Sequence, residues 1–173
     1  MDEDSFREFV GARLKRLSRV AYLLTGDHHA AEDLLQVALI KLAARWKHVH
    51  RESNPDAYLR KILHHEHISV WRRSRYLREE RSHAWVPDQP TTDGTEAALR
   101  RMMVRQALSK LTPRQRSVIV LRFFEDLSEA DTAKAMRCST GTVKSQTSHA
   151  LQRLRRLAPE LAQLIDSPRE ALV

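Results

Sequence analysis

The chain has 173 residues and carries 30 Lys and Arg against 22 Asp and Glu, a formal charge of +8 with the nine histidines neutral. That length suits one medium domain or two small ones; 42% hydrophobic residues suffice for real cores, while 6% aromatics leave little for a large aromatic-lined pocket. Four glycines argue against a strand-rich fold or a phosphate-cradling loop, and the single cysteine, Cys138, excludes an internal disulfide framework and a Cys-based zinc site. No apolar run approaches the ~18 residues of a membrane span, and the acidic opening MDEDSFREF is unlike a signal peptide, which starts basic and then runs apolar. The expectation is a chain of the reducing cytoplasm without membrane insertion, and the basic balance suggests a polyanionic partner.

Taken in chain order, the elements read as helices throughout. Phe6, Phe9, Val10, Leu14, Leu17 and Ala21 recur at helical spacing. Gly26 then suits a left-handed C-terminal cap and Asp27 an N-cap, ending one helix and opening the next. Ala31, Leu34, Leu35, Ala38, Leu39 and Leu42 form the next apolar stripe. A loop is expected at 47–54, after which Asn54-Pro55 starts a long helix to about Arg78. Residues 81–97, RSHAWVPDQPTTDGTEA, are rich in Pro, Thr and Asp and read as a linker. Residues 96–110 read as a helix, Thr112-Pro113 starts another, Ser128 with Asp131 looks like a capping pair, and Ser139 caps a last helix holding Val143, Ala150, Leu151 and Leu154. The expected architecture is all-α, with a first domain at 1–80, a linker at 81–95, a second domain at 96–160 and a short tail at 161–173.

The strongest functional signal is 128–154, where a short helix, a tight turn at 137–139 and a second helix have helix-turn-helix spacing. Thr142, Lys144, Ser145, Gln146, Ser148, His149 and Arg153 populate the second helix. Such side chains reach base edges and phosphates in a major groove. An amphipathic hairpin with a solvated basic face would use the same residues. The second signal is YLRKILHHEHISVWRRSRYLR, which interleaves Tyr58 and Trp71 with Arg60, Lys61, His64, His65, Arg72 and Arg73. Aromatics stack on unpaired bases while cations track the backbone, a combination suited to single-stranded or melted DNA. The third is Asp33-Leu34-Leu35-Gln36, an acceptor and an amide beside leucines, as a protein-docking turn.

In this order the stretches AYLLTGDHHAAEDLLQVALIKLAARW, YLRKILHHEHISVWRR, LTPRQRSVIVLRFFEDLSEADTAKAM and CSTGTVKSQTSHALQRLR resemble the extracytoplasmic-function (ECF) sigma factors of bacterial RNA polymerase over about residues 5–158. LLTGD, EDLSEA and GTVKS are similar to the actinobacterial SigE-like subgroup. The resemblance implies a sigma-2-like and a sigma-4-like domain that bind core polymerase and direct promoter recognition, melting and transcription initiation, with no chemistry or cofactor of their own. It places Asp33, Leu34, Leu35 and Gln36 on the β′ clamp helices. It assigns Tyr58, Arg60, Lys61, His64, His65, Trp71, Arg72 and Arg73 to the −10 element. Thr142, Lys144, Ser145, Gln146, Ser148, His149 and Arg153 fall to the −35 element, and the apolar positions around Val118–Phe124 to the β flap. An anti-sigma factor is a further implied partner, and the free protein is expected to pack its two domains together and hide both DNA surfaces.

Several positions depart from the family pattern. His65 stands where Asn is frequent, Ser69 where Asp is frequent, and Gln146 and His149 replace commoner Arg, so neither can make the bidentate guanine contact of an arginine. His64, His65 and His67 around Glu66 lack the His-Glu-x-x-His spacing of a zinc protease, and no metal site is expected. Cys138 reads as a small buried turn residue rather than a thiolate sensor. The competing class is a stand-alone helix-turn-helix transcriptional regulator; a response-regulator first domain would alternate strands and helices, which residues 1–80 do not.

Overall fold

The computed structural model describes residues 3–52, 54–80, 96–157 and 159, and all regular structure among them is helical. The expected linker at 81–95 and tail at 161–173 lie outside the described residues. Helix α1 spans Glu3–Thr25 and α2 spans His28–Ala43. Between them Gly26 takes φ 76°, a left-handed conformation that glycine adopts without a Cβ penalty. Asp27 accepts a hydrogen bond from the Ala30 amide at 2.7 Å, satisfying one of the free donors at the start of α2.

The loop expected at 47–54 is instead helix α3, Trp46–Glu52. Trp46, 1% exposed, anchors it. Its ring meets Phe6 at 5.2 Å and Phe9 at 5.0 Å, stacks on His50 at 4.8 Å, and its indole N–H donates to Ser5 Oγ at 2.9 Å. Polar composition suggested a loop; a single buried tryptophan with its polar end satisfied outweighs that propensity. Asn54 Oδ1 then accepts from the Ala57 amide at 3.2 Å and opens α4, Pro55–Glu80. Leu59, Ile62 and Leu63 of α4 close the core of the first half over Leu17, Val20, Ala21, Leu34, Leu35 and Ala38.

The second half contains α5 (Glu96–Ser109), α6 (Pro113–Ile119), a π-helical turn (Val120–Phe124), α7 (Glu129–Met136) and α8 (Thr140–Leu157). Thr112 and Gln115 form a reciprocal capping box at the start of α6. Ser128 Oγ accepts from the Asp131 amide at 3.0 Å, and Ser139 Oγ accepts from the Thr142 amide at 3.1 Å. Between α7 and α8 the chain turns through Arg137 at φ 52°. Val143, Ala150 and Leu154 of α8 are fully buried along one stripe and pack against α6 and α7.

The two halves pack on each other. Arg116 of α6 donates to the carbonyls of Leu24 at 2.8 Å and Thr25 at 3.4 Å, a cation at the carbonyl-rich end of α1. Arg105 of α5 donates to the Tyr22 hydroxyl at 3.1 Å. Glu125, which follows the π-helical turn and is 3% exposed, accepts from Arg60 of α4 at 2.8 Å and lies 3.6 Å from Arg16 of α1. Arg16 and Arg13 also share Asp56, tying α1 to the start of α4 within the first half.

Candidate nucleic-acid interface

Helix α8 presents the most open of the predicted surfaces. Because Val143, Ala150 and Leu154 face inward, Thr142, Lys144, Ser145, Ser148, His149 and Arg153 are left exposed and Gln146 half-buried. The N-terminal turn is ordered by Ser139 and Thr142, whose hydroxyls lie 2.9 Å apart. Ser145 Oγ donates to the Thr142 carbonyl at 3.0 Å, and Lys144 Nζ lies 3.6 Å from Glu129 of α7. A surface pair of that length contributes little and is readily exchanged for a phosphate. A short helix, a left-handed turn and a second helix with an outward polar face match a groove-reading geometry. Cys138 sits in that turn, half-buried, and burial pushes its thiol above the ordinary range, so the reactive thiolate is disfavoured.

The predicted residues of α4 are divided by the packing. Trp71, Arg72 and Arg73 are exposed, Tyr58, Lys61 and His65 are half-buried, and His64 is buried at 5%. Arg60 is held by Glu125. Tyr58, Arg60 and Lys61 line one wall of a cleft of about 410 Å³ whose other wall is Leu127, Asp131, Lys134 and Ala135 of the second half. The second half therefore covers part of this surface. The expectation that both DNA surfaces are hidden is corrected: α4 is partly covered, whereas α8 stays open, because α8 packs inward on α6 and α7.

The histidines of α4 sit in an unusual setting. Burial, then the neighbouring His65 and Arg114 charges, lowers His64 to about 4. Burial, then Arg116 and His64, lowers His67 to about 3. His65 is also lowered, by burial and by Arg137 and Lys61. Glu66, set among these histidines in sequence, pairs with Lys41 of α2 at 2.5 Å. Among the described residues no group of three metal-binding side chains is gathered in one place.

On α2, Asp33 and Gln36 are exposed, as the docking reading requires, but Leu34 and Leu35 are buried at 4% and 8% and serve the core. The apolar part of that surface is instead Val37, 39% exposed, and Ile40, 63% exposed. Positions 33, 36, 37 and 40 share one helical face; Leu34 and Leu35 read in sequence as part of both the core stripe and the docking turn, whereas Val37 and Ile40 were passed over. Of the apolar positions expected at the β flap, Val118, Ile119, Val120 and Leu121 are buried, and Phe123 and Phe124 are only partly covered. Residues that sequence reasoning missed are Glu125, Arg105 and Arg116, whose partners lie in the other half; no local pattern signals such contacts.

Comparison with known proteins gives the same two-part division. Residues 9–76 match the family model of Sigma-70 region 2 and residues 101–154 that of Sigma-70, region 4. The chain is 41% identical over 150 residues to an RNA polymerase sigma-E factor of Streptomyces coelicolor, spanning 87% of this chain and 84% of that protein. It is 32% identical over 151 residues to the ECF RNA polymerase sigma factor SigL of Mycobacterium tuberculosis, spanning 84% of each. Among solved structures it is similar to the sigma factor RpoE in complex with the anti-sigma factor NepR from Bartonella quintana. That match has TM-score 0.72 and 28% identity, over 90% of this chain and 97% of that one. CnrH in complex with the cytosolic domain of CnrY shares the fold, with TM-score 0.62 at 20% identity over 92% and 90% of the two chains.

Proposed function

We infer, for a chain that belongs to the extracytoplasmic-function sigma factors of bacterial RNA polymerase, a division of labour among three helical surfaces. As a sigma factor the protein binds core polymerase and directs it to promoter DNA. Asp33 and Gln36, with Val37 and Ile40 beside them, are the side chains offered to the β′ clamp helices, while Leu34 and Leu35 hold α2 in place from beneath. Tyr58, Lys61, His65, Trp71, Arg72 and Arg73 of α4 face the −10 element, joined by Arg60 and His64 once the second half moves away. Unpaired bases stack on the aromatics, which offsets the few kcal/mol needed to extrude a base. Thr142, Lys144, Ser145, Gln146, Ser148, His149 and Arg153 of α8 enter the −35 major groove.

The observation that carries this reading is the open polar face of α8 in the same chain as the basic, aromatic-bearing α4, with one matched family region on each. The protein supplies binding and positioning, and the polymerase supplies the chemistry; it works in the cytoplasm beside that enzyme. Among the described residues no helix is long and apolar enough to cross a membrane. An anti-sigma factor is a fitting regulator, since the related RpoE is held by NepR. The test is run-off transcription with purified core polymerase on the DNA upstream of the protein's own gene. A discrete transcript that requires the protein is expected. Failure to bind core polymerase in a pull-down would return the reading to a stand-alone helix-turn-helix regulator.

A further inference from the structure

Arg60, His64 and His67 recur at i, i+4 and i+7 on α4 and so share one helical face. The charged partners of that face lie in the second half. Arg60 meets Glu125, Arg114 acts on the His64 ring, and Arg116 acts on the His67 ring. Both rings are buried, at 5% and 6%, and both have a ring nitrogen without a hydrogen-bond partner, Nδ1 of His64 and Nε2 of His67. A neutral imidazole tolerates such a site; an imidazolium there would be desolvated, unpaired and close to a guanidinium.

We propose that this face is a proton-operated lock: the second half stays closed over α4 while His64 and His67 are neutral, and their protonation opens the molecule and uncovers the strip. The elements packed on α4 set the balance, except α3, whose Lys47, His48, His50 and Arg51 are exposed and do not act on the two rings. From α1, Arg13 and Arg16 are engaged by Asp56; from α2, Lys41 is engaged by Glu66. From α6 come Arg114 and Arg116, both positive. The π-helical turn leads to Glu125, which is committed to Arg60 and Arg16. From α7, Asp131 is engaged by Lys134, and from the turn after it Arg137 acts on His65. The carboxylates near the lock are thus paired with other cations, and the groups acting on the two rings are arginines and other histidines.

The direction follows from linkage. Both rings titrate lower in the closed form than in a solvated one, so the closed form binds fewer protons and is favoured at high pH. Its advantage begins to fall as pH drops through the ordinary histidine value near 6.5 and keeps falling toward the depressed values of about 4 and about 3. Between pH 7 and 5.5 each ring that becomes fully solvated on opening shifts the open-to-closed ratio by up to about 8-fold, and the two together by up to about 70-fold. If α4 reads melted DNA as proposed above, the same protons both uncover the strip and add positive charge to it.

The test needs neither DNA nor polymerase, so its failure is separable from failure of the promoter reading. Small-angle scattering of the whole free chain is followed from pH 8 to pH 5, with far-UV circular dichroism as the check on folding. The radius of gyration of the wild type is expected to rise between pH 6.5 and 5 at constant helicity, while the His64→Gln/His67→Gln double variant stays compact. If the double variant does not fold, the single variants decide: each should cut the shift in the open-to-closed ratio between pH 7 and 5.5 from up to about 70-fold to up to about 8-fold. Two results would overturn the proposal. One is a wild type that stays compact to pH 5. The other is a Gln variant that opens with unchanged pH-dependence, which would assign the transition to Glu125 or another carboxylate.

Discussion

The contact between Arg60 and Glu125 provides a quantitative handle on how the halves are held. Glu125 is 3% exposed and Arg60 15%, with Nε and Oε2 2.8 Å apart. Removing one partner of a fully buried pair costs about 3–5 kcal/mol, because the survivor keeps its desolvation without its counter-charge. Arg60 retains some solvent and lines the same cleft as Asp131, so about 2–3 kcal/mol is the expected loss for Glu125→Gln. Arg16 loses less, since it is 44% exposed and keeps Asp56 at 2.8 Å. The perturbation is best read as a double-mutant cycle of Glu125→Gln and Arg60→Gln, followed by urea unfolding at neutral pH with circular dichroism. A favourable coupling of about 1.5 kcal/mol or more is expected, because the double variant leaves no uncompensated charge. A coupling below about 0.5 kcal/mol would refute the reasoning, since it would mean that the two side chains do not meet in solution.

Other outcomes follow from the same structure. Trp46→Ala removes the ring that Phe6, Phe9 and His50 pack against and should cost about 3–5 kcal/mol in urea unfolding. Asp33→Ala with Gln36→Ala alters only exposed positions of α2; core-polymerase affinity measured by pull-down should fall while the circular dichroism spectrum is unchanged. Lys144→Ala should weaken binding to −35 duplexes and reduce the slope of log affinity against log salt by about 0.9, the signature of one lost phosphate contact.

The helical architecture was legible because its punctuation is local. Gly26 with Asp27, Asn54 with Pro55, Thr112 with Pro113 and Ser128 with Asp131 each mark a helix end, and the structure uses all of them. The turn at 137–139 was legible from the spacing of the flanking helices, although its left-handed residue is Arg137 where glycine is the usual choice. Helix α3 escaped because Trp46 finds its partners some 40 positions earlier in the chain, at Ser5, Phe6 and Phe9. The outward residues of α8 were legible from the apolar stripe of Val143, Ala150 and Leu154 on the opposite side. On α4 and α2 the residue types were readable but their exposure was not. Whether His64 faces solvent or Arg114, and whether Leu35 or Val37 faces outward, depends on which surfaces the fold brings together.

A sigma factor opens promoter DNA only as part of the polymerase, and permanganate footprinting at this chain's own promoter reads that opening. Thymines upstream of the transcript start should become reactive when core polymerase and the protein are both present, and stay unreactive with either alone. Reactive thymines with core polymerase alone, or none at all with a complex that has demonstrably formed, would contradict it.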